Sequence, residues 1–466
     1  MDYNTETITR IAQQVTNAFK SGLAQRLQSG VPAPRMADIE NEMREVLRQI
    51  GAEALRLFLS TAHGTPRAEY PCSCGGTLHY QRQRRATVTT VFGKISYERA
   101  YYADCRCGQG HAPVDEAYGL TPGTVSSGLA ALLGLAGIEL SFDESRAWLR
   151  RFLLFDVSEN TVRSETQTLG GLQAEREVSL CQHSQDEVYL QTRVRETTSR
   201  PTRLYGSLDA AKVRIEPRSK AGKKPVKQDD WRDMKVGCWY EVEAVSPTHR
   251  STRQRDKAAR EQAVLRAKNM RYFCDITEAE TFGRLLWATG CAAKADLASE
   301  VVFVCDGAAW IWNLVALHYP CAVQIVDWYH AEDSLKRVAH AAFAADRDRQ
   351  VWLEQVTPLL WEGQVETVIR ECQGMAPACE EAQRAVTYFT HNAHRMRYDQ
   401  FRAADYLIGS GTVESGCKQI VTQRLKRSGA QWNVEGAVST GKARAAWLSG
   451  DWDILCAQRA ARPLAV

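Results

Sequence analysis

The hydrophobic pattern of the first 64 residues predicts helices. Apolar side chains recur there at every third or fourth position, as on one face of an amphipathic helix. The repeating positions are Ile8, Ile11, Val15, Phe19, Met43, Val46, Leu47 and Ile50. Pro32 and Pro34 interrupt the repeat and separate two helices, so we expect residues 1–64 to form an N-terminal helical region.

Residues 65–117 alternate apolar and polar side chains on both sides of Gly93, which predicts a β-hairpin. Residues 118–201 return to helical spacing. Within them, LSFDESRAWLRRFLLFDVSENTVRSETQTLG fits a helix-turn-helix, with Ser158 at a helix start and Arg163 projecting from the first turns. In that arrangement Arg163 contacts DNA. A packed helical connector fits the same pattern equally well.

A strand-rich segment begins at residue 202. Three strands, RLYGSLDAAKV, MKVGCWYEVEAVS and MRYFCDI, precede a helix, the strand VVFVC, a second helix and the strand AVQIVDW. This is the element order of an RNase H-like α/β core, and we expect residues 202–330 to form its first part. Residues 331–405 lose the strand pattern, which predicts a helical insertion. Residues 406–466 then supply the last part of the core and a C-terminal tail.

Chain length and net charge constrain the fold and function less than the hydrophobic pattern does. A chain of 466 residues is too long for one ordinary core. The 59 basic and 55 acidic residues leave a net charge of +4, which alone does not predict a nucleic-acid partner. Basic residues concentrate between Arg195 and Arg271. They form either a solvent-exposed face or, if they lie beside a metal site, a surface that binds the phosphates of a nucleic acid. They include Lys220, Lys223, Lys224, Lys227, Arg253, Arg255 and Lys257.

The chain carries no sign of export or membrane insertion. The N-terminal sequence MDYNTETITR lacks the apolar core of a signal peptide. Two long uncharged runs, 117–138 and 307–326, contain Pro together with polar residues and fit buried segments better than membrane spans. We therefore expect a soluble cytoplasmic protein with no membrane partner.

Four of the 14 cysteines form two Cys-x-Cys-Gly turns, one on each side of the predicted hairpin. They are Cys72, Cys74, Cys105 and Cys107. Four thiolates at two turns can hold a tetrahedral structural Zn²⁺, so the segment predicts a zinc-ribbon-like module. Each pair is one residue shorter than the usual Cys-x-x-Cys, which leaves four free cysteines as the alternative. His79 and His111 are further candidate ligands, and the scattered cysteines indicate a reducing compartment.

Three acidic residues have sequence contexts that could expose a carboxylate to a catalytic or metal site. Asp209 and Asp306 come at or near the ends of apolar strands, and Glu414 follows a Gly-Ser-Gly turn and opens a helix. Isolated strand-end aspartates are usually turn or capping residues, but these occur in the RNase H-like element order. Converging carboxylates can hold two divalent cations, Mg²⁺ or Mn²⁺, that cleave phosphodiesters.

Long segments of the chain resemble the catalytic region of bacterial insertion-sequence transposases of the ISKra type. They are DGAAWIWN, QIVDWYHAEDSL and HRMRYDQFRAADYLIGSGTVESGCKQIVTQRLKRSGAQW, and EAETFGRLLW and FGKISYERAYYADCRCG follow the same pattern. The resemblance covers residues 65–452. It implies an RNase H-like DDE transposase with Asp209, Asp306 and Glu414 as its acidic residues, a zinc-ribbon-like module and a helical insertion.

Two positions leave alternatives open. LDAAKV lacks the Gly expected directly after the first aspartate, and Asp229, Asp230 and Asp233 are the nearby alternatives to Asp209. In DWYH, Asp327 and His330 match an Asp-x-x-His motif of several DDE groups. His330 then orients a phosphate or strand end, or else it is a packed core histidine.

The resulting hypothesis is a transposase that cuts the ends of an insertion sequence and joins them to target DNA. Its partner is double-stranded DNA, on which we expect it to form a homo-oligomer in the nucleoid. The candidate phosphate contacts are Arg424, Lys426, Arg427, Arg395, Arg397 and Arg163. Trp432 either stacks on an unpaired base or packs in the core. A domesticated DNA-binding regulator and a plain nuclease are the alternatives.

Overall fold

The computed structural model describes residues 9, 12–17, 19–21, 24, 35–61, 66–216, 230–245 and 264–462. Several predicted features lie outside these residues: Ile8, Ile11, Pro32, Pro34, Asp229, Lys220, Lys223, Lys224, Lys227, Arg253, Arg255 and Lys257. The chain forms two compact units, residues 1–172 with 453–466, and residues 173–452. The division into six modules stays a prediction.

The first unit contains a helix and a three-stranded antiparallel sheet. The elements are α1 Met36–Thr61, β1 Glu69–Pro71, β2 Thr77–Thr90 and β3 Gly93–Ala103, with strand order β1-β2-β3. β2 and β3 form the hairpin that the alternation around Gly93 predicts, and Gly93 has φ 104°. Val88, Ile95 and Tyr97 from its inner face pack with Leu59 of α1 into one hydrophobic core.

Helices complete this unit. They are α2 Pro113–Ala117, α3 Ser127–Glu139, α4 Phe142–Leu153, α5 Glu159–His183, which continues into the second unit, and a further helix at Trp452–Ala461. Ser141 and Glu144 form a capping box at the start of α4. Ser158 precedes α5, and its Oγ accepts a hydrogen bond from the Thr161 N–H at 3.0 Å. In α3, Leu129 and Leu133 are completely buried, so the apolar run 117–138 includes a core helix.

The second unit is built on a five-stranded mixed sheet. After α6 Glu187–Glu196, its strands are β4 Arg203–Ile215, β5 Asp230–Val245, β6 Val264–Asp275, β7 Glu300–Cys305 and β8 Val323–Val326. Their order is β6-β5-β4-β7-β8. The pairs β4–β5 and β5–β6 are antiparallel, whereas β4–β7 and β7–β8 are parallel.

Helices cover both faces of this sheet. They are α7 Ala279–Ala292, α8 Ala309–His318, α9 Trp328–Ala342, α10 Asp346–Trp361, α11 Val365–Met375, α12 Glu380–Asn392, α13 Tyr398–Ala403, α14 Gly411–Gly416 and α15 Val434–Leu448, with a π-helix at Cys417–Leu425. Phe282 of α7 packs on Phe273 on one face. On the other, Gly416 of α14 lies against Tyr272. In the described chain, no strand interrupts the helices between β8 and α14, and no helix has the length and apolar character needed to cross a membrane.

A buried ion cluster ties α5 and α15 to β6. Lys442 is 3% exposed; it donates to the carboxylates of Glu177 and Asp275 and to the Cys274 carbonyl. Burial lowers the pKa of Lys442, but the negative charges of Glu177 and Asp275 outweigh burial and raise it. Lys442 is therefore charged inside the protein, balanced by two carboxylates.

Lys442→Met is expected to lower the free energy of unfolding by about 3–5 kcal/mol, because it leaves buried carboxylate charge without its partner. Urea unfolding measures this. Lys426→Met is the control, since Lys426 is exposed and its loss should change stability by less than about 0.5 kcal/mol. Equal stabilities of the two variants would show that the cluster contributes nothing.

Candidate metal and nucleic-acid site

The parallel strands bring acidic residues to one level of the sheet. Gly206 pairs with Phe303, so Asp209 and Asp306, each three residues further on, lie level on neighbouring strands. Cys305 pairs with Val326, so Asp327 lies beside Asp306. Asp209, Asp306 and Asp327 therefore lie on neighbouring segments at the carboxyl end of β7 and β8 and the adjoining part of β4, but they do not form a group with ligand atoms within 4.8 Å of one another.

Of the alternative first carboxylates, Asp229 lies outside the described residues, and neither Asp230 nor Asp233 pairs at the position of Asp209. Asp209 pairs with Val236 across β4 and β5, whereas Asp233 pairs with Lys212 further along. The Asp233 side chain is exposed and forms an ion pair with Lys212 at 3.2 Å. Asp230 lies at the start of β5, opposite Ile215. Among these residues, Asp209 has the position that the cluster requires.

Glu414 lies on α14, which packs closely against the sheet. A Cβ atom on Gly416 would stand 2.6 Å from the Tyr272 ring and 3.5 Å from Val236. Because Val236 pairs with Asp209, α14 passes over the Asp209 face of the sheet. Burial raises the pKa of Cys417, and the negative charges of Asp209 and Glu414 raise it further. Both carboxylates therefore lie near the Cys417 thiol.

The charges of this cluster are incompletely balanced. Burial raises the pKa of Asp306, an N–H from Ala308 at 3.0 Å lowers it, and the charge of Asp209 raises it again. His330 lowers this pKa and Asp327 raises it by smaller amounts. Burial and the neighbouring carboxylates thus both disfavour the ionised form of Asp306, and a bound cation would favour it.

Asp327, His330 and Glu414 form a second, overlapping group, with one ligand atom of each within 4.8 Å of the others. Asp327 is completely buried and caps α9: its Oδ1 accepts from the His330 N–H at 2.8 Å, and its Oδ2 accepts from the Ser410 N–H. Glu414 Oε1 accepts from Ser410 Oγ at 2.9 Å and lies 3.3 Å from His330 Nε2. Asp327 thus holds the Gly-Ser-Gly turn against α9, and His330 is half exposed beside Glu414 rather than packed in the core.

The donor atoms suit a hard divalent cation. Asp209 and Asp306 each use Oδ1 to accept a neighbouring backbone N–H, from Ala210 and Ala308. These bonds fix the orientation of the two carboxylates, which are the candidate ligands. Oxygen donors of this type prefer Mg²⁺ or Mn²⁺.

The structure corrects the predicted role of Arg424. Its side chain is 2% exposed and lies over the Trp432 ring, 5.0 Å from the ring centre. Trp432 is buried as well and donates its indole N–H to the Leu425 carbonyl at 2.9 Å. Arg424 is therefore inaccessible to a phosphate in this conformation, and Trp432 is a core residue. Lys426 is exposed, and Arg427 is partly exposed and donates to the Gln423 carbonyl.

The two arginines predicted to carry DNA on the insertion are engaged within the protein. Arg395 lies over Trp312 and donates to Gln324 at 2.8 Å, and burial lowers its pKa. Arg397 forms a two-pronged ion pair with Glu366 and lowers the pKa of that carboxyl to about 2. Their charges are already balanced or buried, which argues against phosphate contacts.

Arg163, in the first unit, is exposed on α5. It pairs with Glu159 at 2.6 Å and lies 5.4 Å from the centre of the Phe142 ring. An exposed ion pair of this type is weak enough to be exchanged for another anion. Its predicted contact with DNA stays a prediction.

Sequence reasoning missed three residues near the carboxylates. Arg337 is exposed, lies seven positions after His330 on the same face of α9, and forms no ion pair with a described residue. Helical periodicity was the signal that could have found it. Tyr388 of α12 packs so closely on Gly307 that a Cβ there would stand 2.2 Å from its ring. Tyr329, the residue before His330, is 59% exposed.

The four cysteines of the hairpin module form a compact thiol cluster. Sγ–Sγ distances are 3.5 Å for Cys72–Cys107, 3.4 Å for Cys72–Cys74 and 3.4 Å for Cys74–Cys105. Tetrahedral zinc with Zn–S bonds near 2.3 Å requires about 3.8 Å. The glycine after each pair, Gly75 and Gly108, has positive φ of 84° and 73°.

The backbone of these turns is arranged around the sulfurs. The Cys74 N–H, together with the Cys74 thiol, lowers the pKa of Cys72 to about 7. The Gly76 N–H lowers the pKa of Cys74, but hydrogen bonds with the Cys72, Cys105 and Cys107 side chains raise it to about 12. The four sulfurs therefore share protons at close range, in the place where a cation would bind. The candidate ligands His79 and His111 have other partners, Glu69 at 3.7 Å and Glu116 at 2.7 Å.

Comparisons with known proteins add little. No protein-family model matches the chain, and no curated protein matches it. Among solved structures, the chain is similar to the Drosophila P element transposase strand transfer complex. The sequence identity is 11%, the TM-score is 0.23, and the match covers 72% of this chain and 82% of that chain. These values establish neither a family nor a function.

Proposed function

We propose that this protein is a DNA transposase of the DDE type, which cuts DNA at the ends of an insertion sequence and joins it to a target. The observation that carries the proposal is that Asp209 and Asp306 each come three residues after a paired position of neighbouring parallel strands, close enough for the charge of Asp209 to raise the pKa of Asp306. The helix that carries Glu414 passes over the same face of the sheet. The strand order β6-β5-β4-β7-β8, followed by a wholly helical segment before α14, supports an RNase H-like core with an insertion. The ISKra-type resemblance points to the same residues.

Asp209, Asp306 and Glu414 would hold Mg²⁺ or Mn²⁺. When bound, such ions activate the attacking oxygen and stabilise the leaving oxygen of a phosphodiester. The protein's own contribution is positioning. Asp327 fixes α9 against the Gly-Ser-Gly turn, and His330 beside Glu414 Oε1 holds that carboxylate toward the strand aspartates. Cleavage and strand transfer would use the same carboxylates in succession.

The four cysteines would hold one structural Zn²⁺. Their spacing, the two glycine turns and the backbone N–H groups directed at sulfur support a closed site of four thiolates. In this proposal zinc stabilises the hairpin module and takes no part in the reaction.

The decisive experiment incubates the full-length protein with DNA that borders its gene, with Mg²⁺ or Mn²⁺ and with EDTA as control. The proposal expects metal-dependent cuts at the element ends together with joined products. Cuts without joining would indicate a nuclease. Binding without cutting, at any metal concentration, would indicate the DNA-binding regulator and defeat the proposal.

Arg337→Gln is expected to weaken DNA binding and to reduce the slope of log affinity against log salt by about one, as for one lost phosphate contact. Arg337 is exposed, unpaired within the described chain, and on the His330 face of α9. Fluorescence anisotropy over a salt series measures the slope.

The matched control is Lys336→Gln. Lys336 is the neighbouring cation, but it is paired with Glu332 and Asp333 at 2.9 Å. Its removal should leave the slope unchanged. Equal slopes for Arg337→Gln and the wild type would exclude a phosphate contact at Arg337.

A further inference from the structure

Tyr329 is an exposed aromatic side chain at the edge of the carboxylate cluster. It follows the buried Trp328, precedes His330, and is 59% exposed. The neighbouring aromatic side chains Trp328 and Tyr398, by contrast, pack on each other and are buried. The ring is therefore accessible to a ligand bound at the proposed site.

The backbone of the Gly-Ser-Gly turn holds the Tyr329 ring in place. A Cβ on Gly409 would lie 3.3 Å from the Tyr329 ring and 3.8 Å from Asp327 Oδ2, so the ring and the carboxylate flank the same glycine. The next residue, Ser410, bonds to both Asp327 and Glu414. The ring is therefore anchored at one edge and directly adjacent to the proposed metal ligands.

The shape and chemistry of this position fit a nucleobase. A flat aromatic surface stacks on the π-face of any base, and this interaction is tolerant of sequence. A base must be unpaired or unstacked to reach such a surface, as at a strand end or a distorted junction. From the sequence, stacking on an unpaired base was one of two predicted roles for Trp432, but Trp432 is buried in the structure.

Accepting the proposed function, we infer that Tyr329 binds DNA by stacking on one unpaired base next to the phosphodiester that is cut. His330 and Glu414, each 47% exposed at the side chain, lie on the open side of the same helix start and turn. The ligand is thus a frayed or single-stranded DNA end rather than continuous duplex alone. Tyr329 is a binding residue that selects this DNA geometry.

The test measures binding of the full-length protein to short duplexes of the DNA that borders its gene, without divalent cation, so that binding is separated from cleavage. Each duplex carries one abasic site, moved base by base along the end. For the wild type, one position should weaken binding about tenfold, the scale of one lost stacking contact. Tyr329→Ala should bind the intact duplex about tenfold more weakly than the wild type does. An abasic site at the sensitive position should then weaken the binding of this variant no further.

Two further variants separate stacking from folding. Tyr329→Trp retains an aromatic surface and should bind like the wild type. Tyr189→Ala removes another partly exposed tyrosine, 40% exposed on α6 and stacked on His183, and should leave the abasic pattern unchanged. A 2-aminopurine base at the sensitive position should be quenched by the wild type but not by Tyr329→Ala.

The result that would overturn the inference is an equal loss for Tyr329→Ala on every duplex, or no loss at all. Wild-type binding without cleavage in Mg²⁺ would remove the proposed function, while the abasic series would still decide the role of Tyr329. A wild-type protein that binds none of these duplexes would overturn both.

Discussion

Asp306→Asn is expected to abolish DNA cleavage while making the metal-free protein more stable. Burial raises the pKa of Asp306 above its unfolded value, and so do the charges of Asp209 and Asp327. Folding therefore disfavours the ionised form. The resulting penalty is fully present above the folded pKa and disappears as pH falls through that pKa. Asparagine has nearly the same shape without the charge, so it relieves the penalty and removes a metal ligand.

Two measurements check this result. Cleavage of end-containing DNA in Mn²⁺ should fall by about a thousandfold or more, because the acidic residues act as one unit. Thermal unfolding in EDTA at pH 7 should show a higher midpoint for the variant, and the difference should shrink as the pH falls.

The other two acidic residues should behave similarly in cleavage. Asp209→Asn and Glu414→Gln should each remove activity, and a double variant should be no worse than a single one. Matched controls are Asp233→Asn, on the neighbouring strand, and Glu435→Gln, a first-turn glutamate of α15 that faces solvent. Both controls should cleave normally. Substantial cleavage by Glu414→Gln would show that Glu414 only stabilises the start of its helix, a contribution of about 0.3–1 kcal/mol.

Cys105→Ser is expected to release zinc and to unfold the distal part of the hairpin module. Cys72 and Cys105 are buried with Leu78 and Tyr102 in a core of only four buried residues, too small to be stable alone. Structural zinc contributes about 10–16 kcal/mol of apparent binding free energy in zinc-finger peptides. Elemental analysis should find one zinc per wild-type chain and less than one in the variant. Limited proteolysis should then cut within residues 66–117.

The control for this experiment is Cys321→Ser, because Cys321 is exposed and distant in sequence from the cluster. It should retain zinc and resist proteolysis like the wild type. A wild-type protein purified without zinc, under reducing conditions and without chelator, would contradict the zinc proposal. So would a Cys105→Ser protein with unchanged zinc content.

Local patterns in the sequence predicted most of the elements that the structure describes. Alternation located the hairpin around Gly93, and short apolar runs located β4, β7 and β8. These patterns are readable because a strand with one or two buried faces repeats with period two or stays apolar throughout. The sequence placed Asp209 and Asp306 at or near strand ends; the structure has Asp306 directly after β7 but Asp209 in the middle of β4, which continues to Ile215. No sequence feature distinguished Asp209 from Asp233.

The charged side chains were the weakest part of the sequence analysis. Arg424 was assigned to phosphate because RLKRSG is basic, yet it is buried over Trp432. Arg397 was assigned to DNA, yet it pairs with Glu366, thirty-one residues away. An arginine's partner depends on which distant segment packs beside it, and composition does not contain that information.

The sequence alone therefore determined the local elements, the two Cys-x-Cys-Gly turns and the acidic residues that strand ends can display. Only the tertiary structure decided that Asp209 and Asp306 lie level, that Asp327 joins α9 to the Gly-Ser-Gly turn, and that Tyr329 stays exposed. The reason is physical: periodicity follows from contacts between neighbours in the chain. Packing between segments far apart in sequence, by contrast, sets the register of parallel strands. It also decides which single charged or aromatic side chains are buried.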